Sequence, residues 1–408
     1  MIPISRAISI IERETPVLGS ESVRLYGCVG RWLAENVVAD SDMPPFDRSQ
    51  MDGYAMKASD TTVVPIELTI VGESAAGRGW HGKLGRREAI RIMTGAAVPQ
   101  GADSVQKIEL TSESNEVVTI KEPTEKGRYI VRKGAEIRKG ATLFRSGEEI
   151  NEKMVASLAA FGYADVKVAQ RPAVSILATG SEIVPINRRP GRDQIRNSNS
   201  EMLRALCERA GARSKLIRPS GDDIGKLIRA LSKAVSPARE KSISGDRIPE
   251  ILIITGGVSV GKYDLTKAAL DELGAEIFFD KVRLKPGKPA VFGRLGKTLI
   301  FGLPGNPVSA AVTFYLFVRK AILQMQKASS TDLPDGHAVL GASVKAAAER
   351  DTLLPARIET NREGRLVATP LRWHGSSDFV GFAEADALIS LSRGTALKGG
   401  EVAKILFL

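Results

Sequence analysis

ILIITGGVSVGKYDLTKAAL (251–270), KVRLKPGKPAVFGRL (281–295) and LIFGLPGNPVSAAVTF (299–314) form the stretch on which the rest of the chain depends. The apolar run Ile251–Ile254 stops at Thr255-Gly256-Gly257, the pattern of a buried strand entering a glycine turn. A helical pattern follows over Leu265–Leu273, with Gly274 where a C-terminal cap belongs. A second buried strand, Thr298–Leu303, breaks at Pro304-Gly305-Asn306-Pro307. The chain then restarts as a helix, with Asn306 as N-cap and Pro307 as the first helical residue. Helix starts present free N–H groups and favour anions. Lys285 and Lys288 lie between the two units. The stretch predicts a site for a phosphate-bearing or otherwise anionic ligand.

Upstream, the rhythm from Arg171-Pro172 is alternating strand and helix. AVSILATG is a strand ending in Thr179-Gly180, with Ser181 and Glu182 just beyond. Ser198–Glu201 spells a capping box, S-x-x-E, for a helix through Ala210 that Gly211 closes. SKLIR is the next strand, ending near Gly221-Asp222-Asp223, and IGKLIRALSKAV the next helix. Such alternation means a parallel sheet covered on both faces. Ligands of such sheets bind outside the carboxyl ends of the strands. Those ends carry Thr179–Glu182, Gly221–Asp223, Gly256–Asp264 and Pro304–Asn306. Four loops therefore converge on one edge.

The remaining segments frame this unit. Residues 3–14 read as an amphipathic helix, Ser22–Cys28 as a strand and Arg31–Val38 as a short helix. MPPFDRSQMDGYAM (43–56) is a loop pinned by apolar side chains, in which Asp52 could do chemistry. Strand patterns between Val63 and Ile120 make a small β domain. Within it RIMTG ends in Thr94, a turn hydroxyl or a ligand donor. A helix from Asn151 to Phe161, closed by Gly162, returns to mixed structure, which makes the β domain an insertion into a discontinuous first domain. Residues 331–408 read as strands of a small barrel or sandwich.

Composition narrows the chemistry. The 408 residues imply several domains, and 43% hydrophobic content is ordinary for a globular chain. The net charge of +11 is scattered, and aromatics are only 5%, which argues against a nucleic-acid stacking platform. Cys28 and Cys207 form no CxxC, and His81, His337 and His374 have no zinc-ligand spacing. The N-terminus lacks a signal-peptide pattern and no apolar run approaches about 18 residues, so a cytoplasmic protein without a membrane span is expected.

Two well-known patterns nearly match. Gly257-Val258-Ser259-Val260-Gly261 is a literal GxSxG after a strand, but His337 and His374 fall in the C-terminal β domain, out of place for a hydrolase triad. Gly256–Lys262 is the front of a P-loop, but Tyr263 stands where Ser or Thr must hold Mg²⁺. What survives is close backbone approach to an anion. Glu182, Asp222, Asp223 and Asp264 at strand ends are helix caps taken singly; taken together they suggest a divalent cation beside a phosphate.

PPFDRSQMDGYAM, RIMTGAAVPQGADSV, ILATGSEIV, GGVSVGKYD, RLKPGKP and GLPGNPVSAAVTF, in this order, resemble the molybdopterin molybdenumtransferase family, the MoeA type related to the E domain of gephyrin. The resemblance runs nearly end to end. It implies a multidomain α/β chain: a discontinuous N-terminal domain (1–45 and 131–170), an inserted β domain (46–130), a three-layer MogA/MoaB-like α/β domain with a mostly parallel sheet (171–328) and a C-terminal β barrel (329–408). It implies the last step of molybdenum cofactor synthesis. There adenylylated molybdopterin and molybdate are the substrates, Mg²⁺ or another divalent cation assists, and AMP is released. It implies a homodimer whose site is shared between subunits, with a molybdopterin adenylyltransferase and molybdoenzymes as further partners. By motif it gives catalytic roles to Asp52, Thr94, Glu182, Asp222, Asp223 and Asp264, with Glu182 and Asp264 at the metal. Ligand binding falls to Gly256, Gly257, Ser259, Gly261, Lys285, Lys288, Pro304, Gly305, Asn306 and Ser309. The chain departs from the family at Gly134-Ala135-Glu136, where Gly-Glu-Asp is usual, at Lys262 and at Gln50. A tungstate-preferring paralogue and a non-catalytic scaffold are the alternative readings.

Overall fold

A computed structural model describes residues 1–219, 223–235, 248–257, 265–372 and 375–408. Asp222, Ser259, Gly261, Lys262, Tyr263, Asp264 and His374 lie outside the described residues. The chain divides into two compact units. One comprises Met1–Ala34, Ser146–Asn151 and Val166–Leu408; the other comprises Glu35–Arg145 and Glu152–Asp165.

The first unit is built on a six-stranded sheet. Its order is Arg213–Ile217, Ala173–Ala178, Ile251–Thr255, Thr298–Leu303, Pro289–Leu295, Glu276–Lys281. The first four strands are parallel, and the last two run antiparallel to their neighbours. Period-two alternation divides the central strands between two cores. Ile251 and Ile253 pack with Val174, Ile176, Phe292 and Phe301 under the helices Ser198–Arg209 and Pro307–Met325. Leu252 and Ile254 pack with Leu177, Leu227, Leu231, Leu270 and Ile300 under the helices Ile224–Val235 and Leu265–Glu272. This gives the three-layer α/β arrangement expected from the strand–helix rhythm.

The same unit carries the barrel. Strands Asp351–Thr360, Leu366–Pro370, Asp335–Leu340, Val402–Phe407 and Ala387–Leu391 follow in that order, and pairing of Ala387–Leu391 back onto Thr352–Ala356 closes the circle. Five strands enclose little space, and small side chains fill it: Ala338, Ala356, Ala368, Ala387 and Ala403 all lie in its core.

The second unit holds a six-stranded, largely antiparallel sheet in the order Ser104–Lys107, Gly53–Met56, Glu88–Ile92, Ile66–Ser74, Val117–Ile120, Thr111–Ser114. Tyr54, Met56 and Leu68 pack on one side; Ala55, Ile90 and Val105 pack on the other. A helix, Glu152–Ala160, ends before Gly162, whose φ of +79° suits glycine alone.

Four local expectations are corrected. Arg31–Val38 is not helical: Leu33 and Ala34 donate to the carbonyls of Glu148 and Lys167, and the buried Arg31 guanidinium binds Glu21 and the carbonyl of Ala169. The strand expected over Ser22–Cys28 is Ser20–Arg24, followed by a 3₁₀ turn at Leu25–Gly27. The helix at 198 is capped by Asn197, whose Oδ1 accepts from Ser200 N at 3.1 Å, and Glu201 pairs with Arg204 instead of closing a box. The 19-residue helix Pro307–Met325 is long and apolar enough to cross a membrane, contrary to the reading of the sequence, but 78% of its apolar window is buried inside the protein. Its apolarity serves the core.

Candidate functional site

The chain leaves Ala173–Ala178 for Arg213–Ile217 on one side, and leaves Ile251–Thr255 for the strands on the other side. The crevice between these two strand ends is the topological switch point, where doubly wound sheets take their ligands. Gly180, Gly256 and Gly257 line it, with φ of +135°, +91° and +62°. A Cβ on Gly256 would stand 2.6 Å from the carbonyl oxygen of Thr179, and one on Gly257 would stand 2.9 Å from the hydroxyls of both Thr179 and Thr266. Glycine is required twice over, by conformation and by space.

A chain of hydrogen bonds ties the next loop to this crevice. Asn199 Nδ2 donates to Thr255 Oγ1 at 3.0 Å and to the carbonyl of Gly305 at 2.8 Å. Thr255 Oγ1 in turn donates to the carbonyl of Pro304 at 3.1 Å. Gly305 lies so close to Gly256 that a Cβ would be 3.6 Å from its Cα. Asn306 sits at the N-cap position, but its side chain does not cap; Nδ2 donates to Ser376 Oγ at 2.7 Å, beside the barrel. Ser309 is buried within the first turn of the following helix. Asn199, Thr255 and Ser376 were not read as site residues. Their partners lie 106, 49 and 70 residues away, beyond any local signal.

The lysine loop reaches the same edge by topology. Strand Glu276–Lys281 runs out to it and Pro289–Leu295 runs back from it. Gly287 lies against Thr313, where a Cβ would be 2.7 Å from the threonine methyl. Thr313 is six residues into the helix, so this contact lies about 9 Å from its start. Lys285 and Lys288 are exposed, and neither makes an ion pair among the described residues. Two cations without an ion pair among the described residues therefore stand on the loop at this edge of the sheet.

The acids divide. Glu182 is exposed, and its carboxylate folds back over Gly180. Asp223 is a helix cap: Oδ1 accepts from Lys226 N at 2.7 Å. Among the described residues no group of three or more His, Cys, Asp or Glu could hold a metal ion.

Asp52 and Thr94 meet within the second unit. Oδ1 of Asp52 accepts the Thr94 backbone N–H at 2.6 Å and the Thr94 hydroxyl at 2.9 Å. These two bonds, the backbone one first, hold the exposed carboxyl below its usual range. Asp52 is placed by Gly53, where a Cβ would collide with the carbonyl of Gln106. Glu136, one of the departures from the family pattern, binds Arg48 at 2.8 Å.

Known proteins match along the whole chain. Residues 2–162 match the family described as "MoeA N-terminal region (domain I and II)", residues 175–324 a "Probable molybdopterin binding domain", and residues 337–408 the "MoeA C-terminal region (domain IV)". A molybdopterin molybdenumtransferase of Bacillus subtilis is 33% identical over 100% of this chain and 94% of its own. One from Staphylococcus aureus is 33% identical over 99% of this chain and 95% of its own. The solved molybdopterin biosynthesis MoeA protein of Pyrococcus horikosii superposes with a TM-score of 0.85 at 30% identity, covering 100% of this chain and 99% of that one.

Proposed function

Because the chain belongs to the MoeA family of molybdopterin molybdenumtransferases, we propose a division of labour among its residues for that family's reaction. The protein is a transferase of molybdenum cofactor biosynthesis and inserts molybdenum into molybdopterin. The observation that carries this is identity of 33% along the entire length.

The substrate is adenylylated molybdopterin, and insertion of metal from molybdate is coupled to hydrolysis that releases AMP. Backbone N–H groups of Gly257, Gly305 and Asn306, with Lys285 and Lys288, bind phosphate and oxyanion. Lysine suits this role as a compact point charge. By motif Glu182 and Asp264 would hold a divalent cation; among the described residues no group of three or more acids is placed for one. Mg²⁺ commonly keeps several waters and needs few protein ligands. Its charge would offset that of the pyrophosphate. Asp52 and Thr94 serve the site from the second copy of a homodimer. The setting is the cytoplasm, between an adenylyltransferase that supplies the substrate and molybdoenzymes that take the product.

The test is incubation with adenylylated molybdopterin and either molybdate or tungstate, followed by assay of AMP and of cofactor. Release of AMP that depends on molybdate is expected. Release that ignores both oxyanions would sink the reading.

A further inference from the structure

Buried polar atoms normally find partners, so the exceptions carry information. Among the described residues six buried side-chain atoms lack one, and two of these, Thr179 Oγ1 and Asn199 Oδ1, lie at the switch-point crevice. The Asn199 amide cannot be turned over to hide its oxygen. The carbonyl of Gly305 only accepts, so Nδ2 must face it. Thr255 Oγ1 directs its proton to Pro304, so it too accepts from Nδ2. Oδ1 is left as a desolvated acceptor with no donor. Thr179, 5% exposed, holds its hydroxyl beside the two glycines that have no Cβ to cover it.

An amide oxygen repels phosphate and molybdate. It takes an N–H or O–H donor, or a hard cation. Hard cations want carboxylates; the described one assigned to the divalent cation above is Glu182, and among the described residues no group of three or more acids stands at the Asn199 oxygen. We propose that Thr179 and Asn199 form a recognition pair for the N–H donors of a heteroaromatic ring, the amino group and ring N–H of the substrate's pterin. This rests on the functional reading above. The pair orients the ring by its hydrogen-bonding edge, while the glycine turns and lysines hold the anionic groups elsewhere on the same edge.

Thr179→Val removes the unpartnered hydroxyl and no protein hydrogen bond. Binding of metal-free molybdopterin, AMP, molybdate and Mg²⁺ is measured by calorimetry on the full chain. The expected result is molybdopterin affinity weakened about tenfold, the worth of one hydrogen bond. Affinity for the other three stays unchanged, the unfolding midpoint does not fall, and Thr179→Ser keeps the affinity. Unchanged molybdopterin affinity in Thr179→Val overturns the proposal, as does a loss that follows Mg²⁺ or molybdate instead. Wild-type protein that fails to bind molybdopterin overturns the functional reading and this pair with it. Wild-type binding matched by the valine variant overturns the pair alone.

Discussion

The Asp52–Thr94 pair shows what two hydrogen bonds do to one carboxylate. The Thr94 amide and hydroxyl both point at Oδ1 and favour the charged form. The folded pKa is depressed, so the pair's contribution is complete above the ordinary carboxylate pKa and is lost as pH falls through the lowered value. Thr94→Val keeps the amide bond and removes the hydroxyl. The Asp52 carboxyl, followed by carbon NMR, is expected to titrate higher in the variant than in the wild type, though still below its ordinary value. No change would mean that the hydroxyl plays no part. The sequence made Asp52 and Thr94 visible as residues but not as partners, because 42 positions separate them. Asn199 was hidden more completely. It lies inside a stretch whose Ser198 and Glu201 gave a stronger and misleading signal.

At the scale of elements, that misleading signal has a clean test. Asn197, not Ser198, supplies the cap of the helix Ser198–Arg209. Asn197→Ala is expected to lower stability by about 1 kcal/mol and to deprotect the Ser200 amide in hydrogen exchange. Ser198→Ala is expected to leave that amide protected; the reverse pattern would restore the capping box. The three inner parallel strands were legible because strands buried on both faces read as largely apolar runs, whereas the edge strand Arg213–Ile217 keeps exposed basic residues. The hairpin Glu276–Leu295 was not, since its Lys281, Arg283 and Lys285 interrupt the apolar pattern and Gly293 sits where a Cβ would meet the carbonyl of Glu276 at 2.5 Å. The lysine loop was therefore recognised by motif before its place at the strand ends could be argued. Strand patterns alone do not tell a barrel from a sandwich, because closure rests on one long-range pairing, Thr352–Ala356 with Ala387–Leu391.

For the whole molecule, the proposed sharing of one site between two copies predicts rescue by mixing. Asp52→Ala and Lys285→Ala are each expected to be inactive. Unfolded and refolded together, they would re-pair at random, and about a quarter of all sites would carry neither change. Cofactor formation near that fraction of wild type is the expected result; none would place both residues in sites built from a single copy. The division of the chain into units also bears on its manufacture. The N-terminal helix Ile4–Glu14 buries Ala7, Ile10 and Ile11 in the core shared with the helix Pro307–Met325. Gln324 Nε2 clasps the carbonyls of Glu12 and Thr15, and Leu18 donates to Met325. Residues 4–18 are thus fastened by residues made about 300 positions later. At about 5–20 residues per second, the N-terminal helix waits roughly 15–60 s for its seat, while residues 35–165 are already complete. During that interval its apolar stripe has no native cover. A nascent chain halted before residue 307 is left as a client for chaperones, although every residue of the second unit has been made.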